Sequence, residues 1–167
     1  LTRLQEDRFR GELNQRAAGD PTTMILRLML DTGLRVSEAC DLRLPDVVLR
    51  EGHVVLDFVG KGDKRRQVAL PAGTGRALSG YLRTLERRSC PLLFPSSHCS
   101  GHKSISTASV RRTARRVGVT AGLHGVRPHD LRHTVATRMA EAGVDQRIAS
   151  AVLGHASPQA VDPQRAF

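Results

Sequence analysis

One stretch of this 167-residue chain has the residue pattern of strands, and it fixes the kind of fold the rest can build. It runs through Val47-Val-Leu, a turn at Arg50-Glu-Gly52, His53-Val-Val-Leu-Asp-Phe-Val59, a second turn at Gly60-Lys-Gly-Asp63 and a short run over 66–70 that Pro71 closes. Apolar and β-branched runs separated by such turns predict three antiparallel strands. Elsewhere the apolar spacing is helical. Over 22–30, Met24, Ile25, Leu28 and Met29 share a stripe, and Gly33 is placed to stop the helix. Further helices are expected over 36–41, 74–88, 106–117, 128–141 and 145–153, the second with Leu78, Tyr81, Leu82 and Leu85 on one face. Residues 89–103, with two prolines and many serines, read as a loop. The expected class is α+β, mostly helical with a small three-stranded antiparallel sheet, in one domain. A chain of about 150 residues buries roughly 70% of its unfolded surface, enough for a single core.

Charge narrows the function classes. The formal charge is +10, and all of it lies beyond residue 50: residues 1–50 carry eight basic and eight acidic side chains, residues 51–167 eighteen and eight. The densest runs are Lys61-Gly-Asp-Lys64-Arg65-Arg66 and Arg111-Arg112-Thr-Ala-Arg115-Arg116. Such segregation points to a polyanion, whose binding releases counterions and weakens steeply with salt. Aromatic residues make up 3% of the chain and tryptophan is absent, which argues against base stacking on a sheet or single-strand groove and leaves duplex DNA open. No apolar run reaches the roughly 20 residues of a membrane span, and no signal-peptide pattern opens the chain. A soluble, cytoplasmic protein without a membrane partner is expected. Cys40, Cys90 and Cys99 show neither an even count nor CxxC spacing, so neither a disulfide framework nor a zinc ribbon is indicated.

Several residue types gather where chemistry would need them. His129 and Arg132 stand at i and i+3 of an expected helix with Pro128 at its start, sharing a face near free amides that favour an anion. Arg35 lies in a tight break between two apolar helices, where a cation must be paired or face a ligand, and Glu38 is spaced to hold it. Lys61 sits at the tip of a Gly-Lys-Gly hairpin, and His155 follows Leu153-Gly154 at a helix end. Taken singly, each has a bland reading as salt bridge, solvated lysine or cap.

In order and at these intervals, TGLRVSEA, GKGDKRR, RPHDLRHTVAT, EAGVD and LGHAS resemble the catalytic domain of the tyrosine recombinases, the phage integrase family, from about Leu1 to Ser157. The resemblance implies a helical domain that closes on duplex DNA as half of a clamp. It makes Arg35 and Arg132 the arginines gripping the scissile phosphate, Lys61 the hairpin lysine, and His129 and His155 the remaining polar site positions. Glu38 matches the acidic brace of the first arginine, and His133 a packing or supporting position. Two guanidiniums can neutralise the non-bridging oxygens bidentately, Lys61 can protonate the leaving 5′-oxygen, His129 can accept and return the nucleophile's proton, and His155 can donate to the phosphate. Neither cofactor nor metal is called for, and no carboxylate cluster stands ready for magnesium. Lys64, Arg65, Arg66, Arg111, Arg112, Arg115 and Arg116 are expected to contact DNA. Arg111 and Arg115 share one helical face and Arg112 and Arg116 another, so one pair should face DNA and the other solvent.

The pattern breaks in the tail. Family members carry the nucleophilic tyrosine about nine residues past the histidine of LGH, where this sequence has Gln164; Phe167 has no hydroxyl, and Tyr81 lies on an apolar stripe. Residues 1–157 are thus expected to form the catalytic domain and 158–167 an atypical tail, from a disrupted frame, an early end with an unrelated tail, or a binding-only relative, with disruption or truncation favoured. A chain that opens on Leu1, without the family's separate N-terminal DNA-binding domain, reads as a fragment. The expected function is a site-specific recombinase catalytic domain unable to cleave as it stands, with a non-catalytic DNA-binding module as the alternative. Other recombinase protomers are expected partners on DNA and a monomer is expected off it. A zinc site from His129, His133 and Cys99 is disfavoured, because HxxxH lacks the Glu of an HExxH helix.

Overall fold

The computed structural model describes residues 1–60, 63, 65–85, 90–96 and 103–154. Among these run α1 (Arg3–Gln15), α2 (Pro21–Thr32), α3 (Val36–Cys40), a 3₁₀ turn at Leu44–Asp46, β1 (Val47–Arg50), β2 (His53–Val59), β3 (Arg65–Ala69), α4 (Ala72–Arg83), α5 (Thr107–Thr120), α6 (Pro128–Glu141) and α7 (Gln146–Leu153). The strands pair antiparallel in the order β1-β2-β3, with Val48 opposite Val55 and Leu56 opposite Val68.

Helix α2 is the centre. Only Pro21, Arg27 and Asp31 of its residues escape burial, and a helix apolar on nearly all sides must be covered on all sides. Helices α1, α3, α4, α5 and α6 do so. Asp20 caps its start by accepting from the Thr22 amide, Pro21 occupies the first turn, and Gly33 ends it at φ 68°.

Two elements differ from the pattern-based expectation. Helix α1 has little apolar periodicity: its buried residues are Glu6, Phe9 and Leu13. Glu6 is buried because Arg10 and Arg138 both donate to its Oε1, at 3.0 and 2.6 Å, so a charged residue occupies a stripe position. The legible signal was the capping box of Thr2 and Gln5. Helix α4 ends at Arg83 instead of running on, where the Thr84 and Leu85 amides turn back onto the Tyr81 and Leu82 carbonyls; residues 86–89 lie outside the described set.

The segment after α4 is more than a surface loop. Leu93 and Phe94 are fully buried, Leu93 N donates to Leu42 O and Leu44 N to Pro91 O, both at 2.9 Å. Tyr81 packs on Phe94 and its hydroxyl donates to Leu93 O at 3.0 Å. This phenol is therefore held in the core, as its apolar stripe implied.

Candidate functional site

A concavity of about 750 Å³ opens between α3, α5 and the start of α6, lined by Arg35, Arg111, Arg115, Arg127, His129 and Arg132 among others. Its floor follows from two glycines. At Gly33 the left-handed backbone, which favours glycine, turns the chain sharply from α2 into Arg35, and a Cβ there would run into the Leu153 side chain of α7. Gly154 ends α7 in the same conformation, at φ 63°.

Arg35 caps α3 and is clamped by Glu38: the Arg35 amide donates to Oε2 and Nη1 to Oε1, each at 2.8 Å. Its Nη2 donates to Gly154 O at 2.9 Å. Arg132, a residue only 7% exposed, reaches in from α6 and donates to the Gly33 and Leu153 carbonyls. A third guanidinium, Arg66, donates to Glu38 Oε2 at 3.2 Å and to Val152 O. Three cations therefore surround one carboxylate and the C-terminal carbonyls of α7, the negative end of a helix dipole.

The charge states follow from that crowding. Burial pulls Arg132 down to about 10, with Arg35 and then Arg66 acting the same way and Glu38 opposing. Burial would raise the Glu38 carboxyl, but hydrogen bonds from Arg35 and the charges of Arg66 and Arg35 outweigh it and hold it below its usual range. Positive charge in the cluster exceeds what its own partners neutralise, which is the electrostatic condition for receiving an anion.

The structure places the other expected residues unevenly. His129 is exposed at the rim of the concavity, on the first turn of α6. Of the two arginine pairs on α5, Arg111 and Arg115 line it, while Arg112 and Arg116 are exposed away from it. Arg66 departs from the expectation of a DNA contact. Strand residues alternate faces, so Arg65 points to solvent, where it grips Asp57 through Nε at 2.7 Å, and Arg66 points inward with 8% of its side chain exposed. His133 is exposed on α6 with Nδ1 3.3 Å from Thr137 Oγ1 instead of packed, because the buried stripe there runs through Leu131, Arg132, Thr134 and Val135. Lys61, Lys64, His155, Cys99 and the tail lie outside the described residues.

Arg127 was not singled out by the sequence. It lines the concavity beside Arg111 and Arg115, exposed, and pairs with Asp130 at 3.3 Å. Burial opposes the ionised Asp130 carboxyl, but bonds from Arg127 and the charges of Arg127 and His129 hold it below its usual range. Its position immediately before the helix-starting proline was the available signal.

Comparison with known proteins bears on the family and the fold. The model of the phage integrase family matches residues 1–164, a span running past Ser157. The chain is 39% identical over 134 residues to tyrosine recombinase XerA of Pyrococcus furiosus, covering 80% of this chain and 46% of that protein. It is 39% identical over 145 residues to tyrosine recombinase XerD of Bifidobacterium longum, covering 80% and 45%. The chain thus spans less than half the length of these two relatives. Among solved structures, the XerH site-specific recombinase bound to difH substrate in a pre-cleavage complex superposes with a TM-score of 0.82 at 26% identity, covering 94% of this chain and 47% of that one. XerA recombinase gives 0.78 at 30% identity, covering 94% and 54%. The chain belongs to the phage integrase family, the tyrosine recombinases, and has the fold of their catalytic domain.

Proposed function

We propose that this chain is the catalytic domain of a site-specific recombinase, which seats one phosphodiester of duplex DNA in the concavity. The observation that carries the reading is the convergence of Arg35 and Arg132 on its floor with His129 and three further arginines on its rim. Each guanidinium has five N–H donors in a planar fork. Hydrogen bonds to Glu38 and the backbone fix the planes of Arg35 and Arg132 while leaving donors free, so the pair is organised before an anion arrives. Arg111, Arg115 and Arg127 then suit the neighbouring phosphates, which position the duplex without reading its sequence. Lys61 as general acid, His129 as proton acceptor and His155 as phosphate donor complete the site, with no metal or cofactor in it; the surroundings are soluble and cytoplasmic.

The two α5 pairs test the DNA-facing side. Each phosphate contact contributes about 0.9 to the slope of log affinity against log salt. R111A/R115A is expected to lower that slope by about 1 to 2 on a duplex probe, and R112A/R116A to leave it within about half a unit. Equal slopes for the two double variants, followed by fluorescence anisotropy, would sink this orientation.

A second reading, DNA binding without cleavage, is favoured by one fact. The only tyrosine in these 167 residues is Tyr81, whose hydroxyl is hydrogen-bonded in the core about the Leu93 carbonyl. We propose that this chain, taken alone, acts as a monomer that engages DNA and forms no phosphotyrosine. Incubated with a duplex carrying a bridging phosphorothiolate, which traps such intermediates, it is expected to give no adduct that survives denaturation. A denaturation-resistant band would overturn the claim.

A further inference from the structure

Arg66 is buried and charged, and its hydrogen-bond partners among the described residues lie inside the protein. Its guanidinium carbon lies 5.3 Å from the Phe58 ring centroid, on whose face it rests. One arm reaches Glu38 and the other Val152 O, while Nε has no partner among the described residues. The three successive carbonyls that end α7 go to three different arginines: Val152 to Arg66, Leu153 to Arg132 and Gly154 to Arg35. Gly154 makes room for this. A Cβ there would stand 2.8 Å from Arg66 Nη1 and 3.0 Å from Cζ.

We propose that Arg66 is a positioning residue that locks the last turn of α7 onto Glu38, and so holds Arg35 and Arg132 in the orientation that receives a phosphate. The second half rests on the phosphate-seating function proposed above. Of the three guanidiniums, Arg35 and Arg132 face the concavity as well as α7, whereas Arg66 serves only the joint. Along the chain, β3 begins four residues after Lys61, and α7 ends two residues before His155. The residue therefore ties β3 and α7 to Glu38, the carboxylate that braces Arg35. Lysine cannot replace it, since a compact ammonium has no fork to span a carboxylate on α3 and a carbonyl on α7.

Hydrogen exchange on the full chain reads the joint without needing ligand. R66M and R66K are both expected to speed exchange in α7 (Gln146–Leu153) at least tenfold while α2 keeps wild-type protection. Inorganic phosphate, titrated at matched ionic strength and followed by the Arg35 amide resonance, is expected to bind both variants at least fivefold more weakly than wild type. Wild-type α7 protection in R66M overturns the proposal, as does R66K matching wild type in both readouts, since charge alone would then suffice. If R66M loosens the whole protein, R66K, which keeps the buried charge, decides: faster exchange confined to α7 supports the joint, and unchanged α7 exchange overturns it. A wild-type protein with no saturable phosphate response, but with the expected α7 exchange, removes the phosphate-seating function and leaves the joint standing.

Discussion

Replacing Arg132 with alanine is expected to cost this domain about 2 to 6 kcal/mol as well as its hold on phosphate. The guanidinium satisfies the Gly33 and Leu153 carbonyls in an almost fully buried setting. An unsatisfied buried acceptor costs about 1 to 3 kcal/mol, and here there are two. Against a typical total stability of 5 to 15 kcal/mol this is a large fraction. R132K, which keeps the charge but can satisfy only one carbonyl well, is expected to fall between the two. Urea denaturation checks both: a midpoint for R132A equal to wild type would mean that those two bonds do not hold α7 to the end of α2.

Glu38 is the second position with a large effect, and there the effect depends on pH. It is the carboxylate that pairs with Arg35 and Arg66, and its side chain is 7% exposed. E38Q leaves the buried Arg66 and the half-buried Arg35 without their carboxylate, and breaking a buried pair typically costs about 3 to 5 kcal/mol. The folded-state pKa of Glu38 is depressed below its ordinary value of 4.5. Its contribution is therefore fully present above pH 4.5 and is lost as pH falls through the lower folded value. The stability gap between wild type and E38Q is expected to be constant from pH 7 to 5 and to close on further acidification. A gap that stayed constant down to pH 3 would contradict this pairing.

Much of this fold was legible because most of its elements carry their period openly. The strands over 47–59 were readable from turn residues and β-branched runs, and α6 runs over the expected Pro128–Glu141. Helix α1 was not, because a buried Glu6 paired with two arginines replaces an apolar stripe position by an ion network that only the folded chain assembles. The site shows the same division. The pairing of Arg35 with Glu38 is local, set by i,i+3 spacing, and could be read along the chain. The pointing of Arg66 could not be read from a run of basic residues taken as one patch, although strand alternation separates it from Arg65. The choice between the two faces of α5 was open in sequence, because both faces carry arginine pairs and only packing against α1, α2, α3 and α6 orients the helix.

The central claim is that duplex DNA lies across the concavity floored by Arg35 and Arg132. A titration of ¹⁵N-labelled protein with a 20-bp duplex tests it directly, since amide shifts report which face is covered. The largest changes are predicted at Arg35, Arg111, Arg115, Arg127 and His129, with the outer face of α1 unaffected. Changes centred instead on α1 and the C-terminal half of α6, with the rim of the concavity silent, would contradict it.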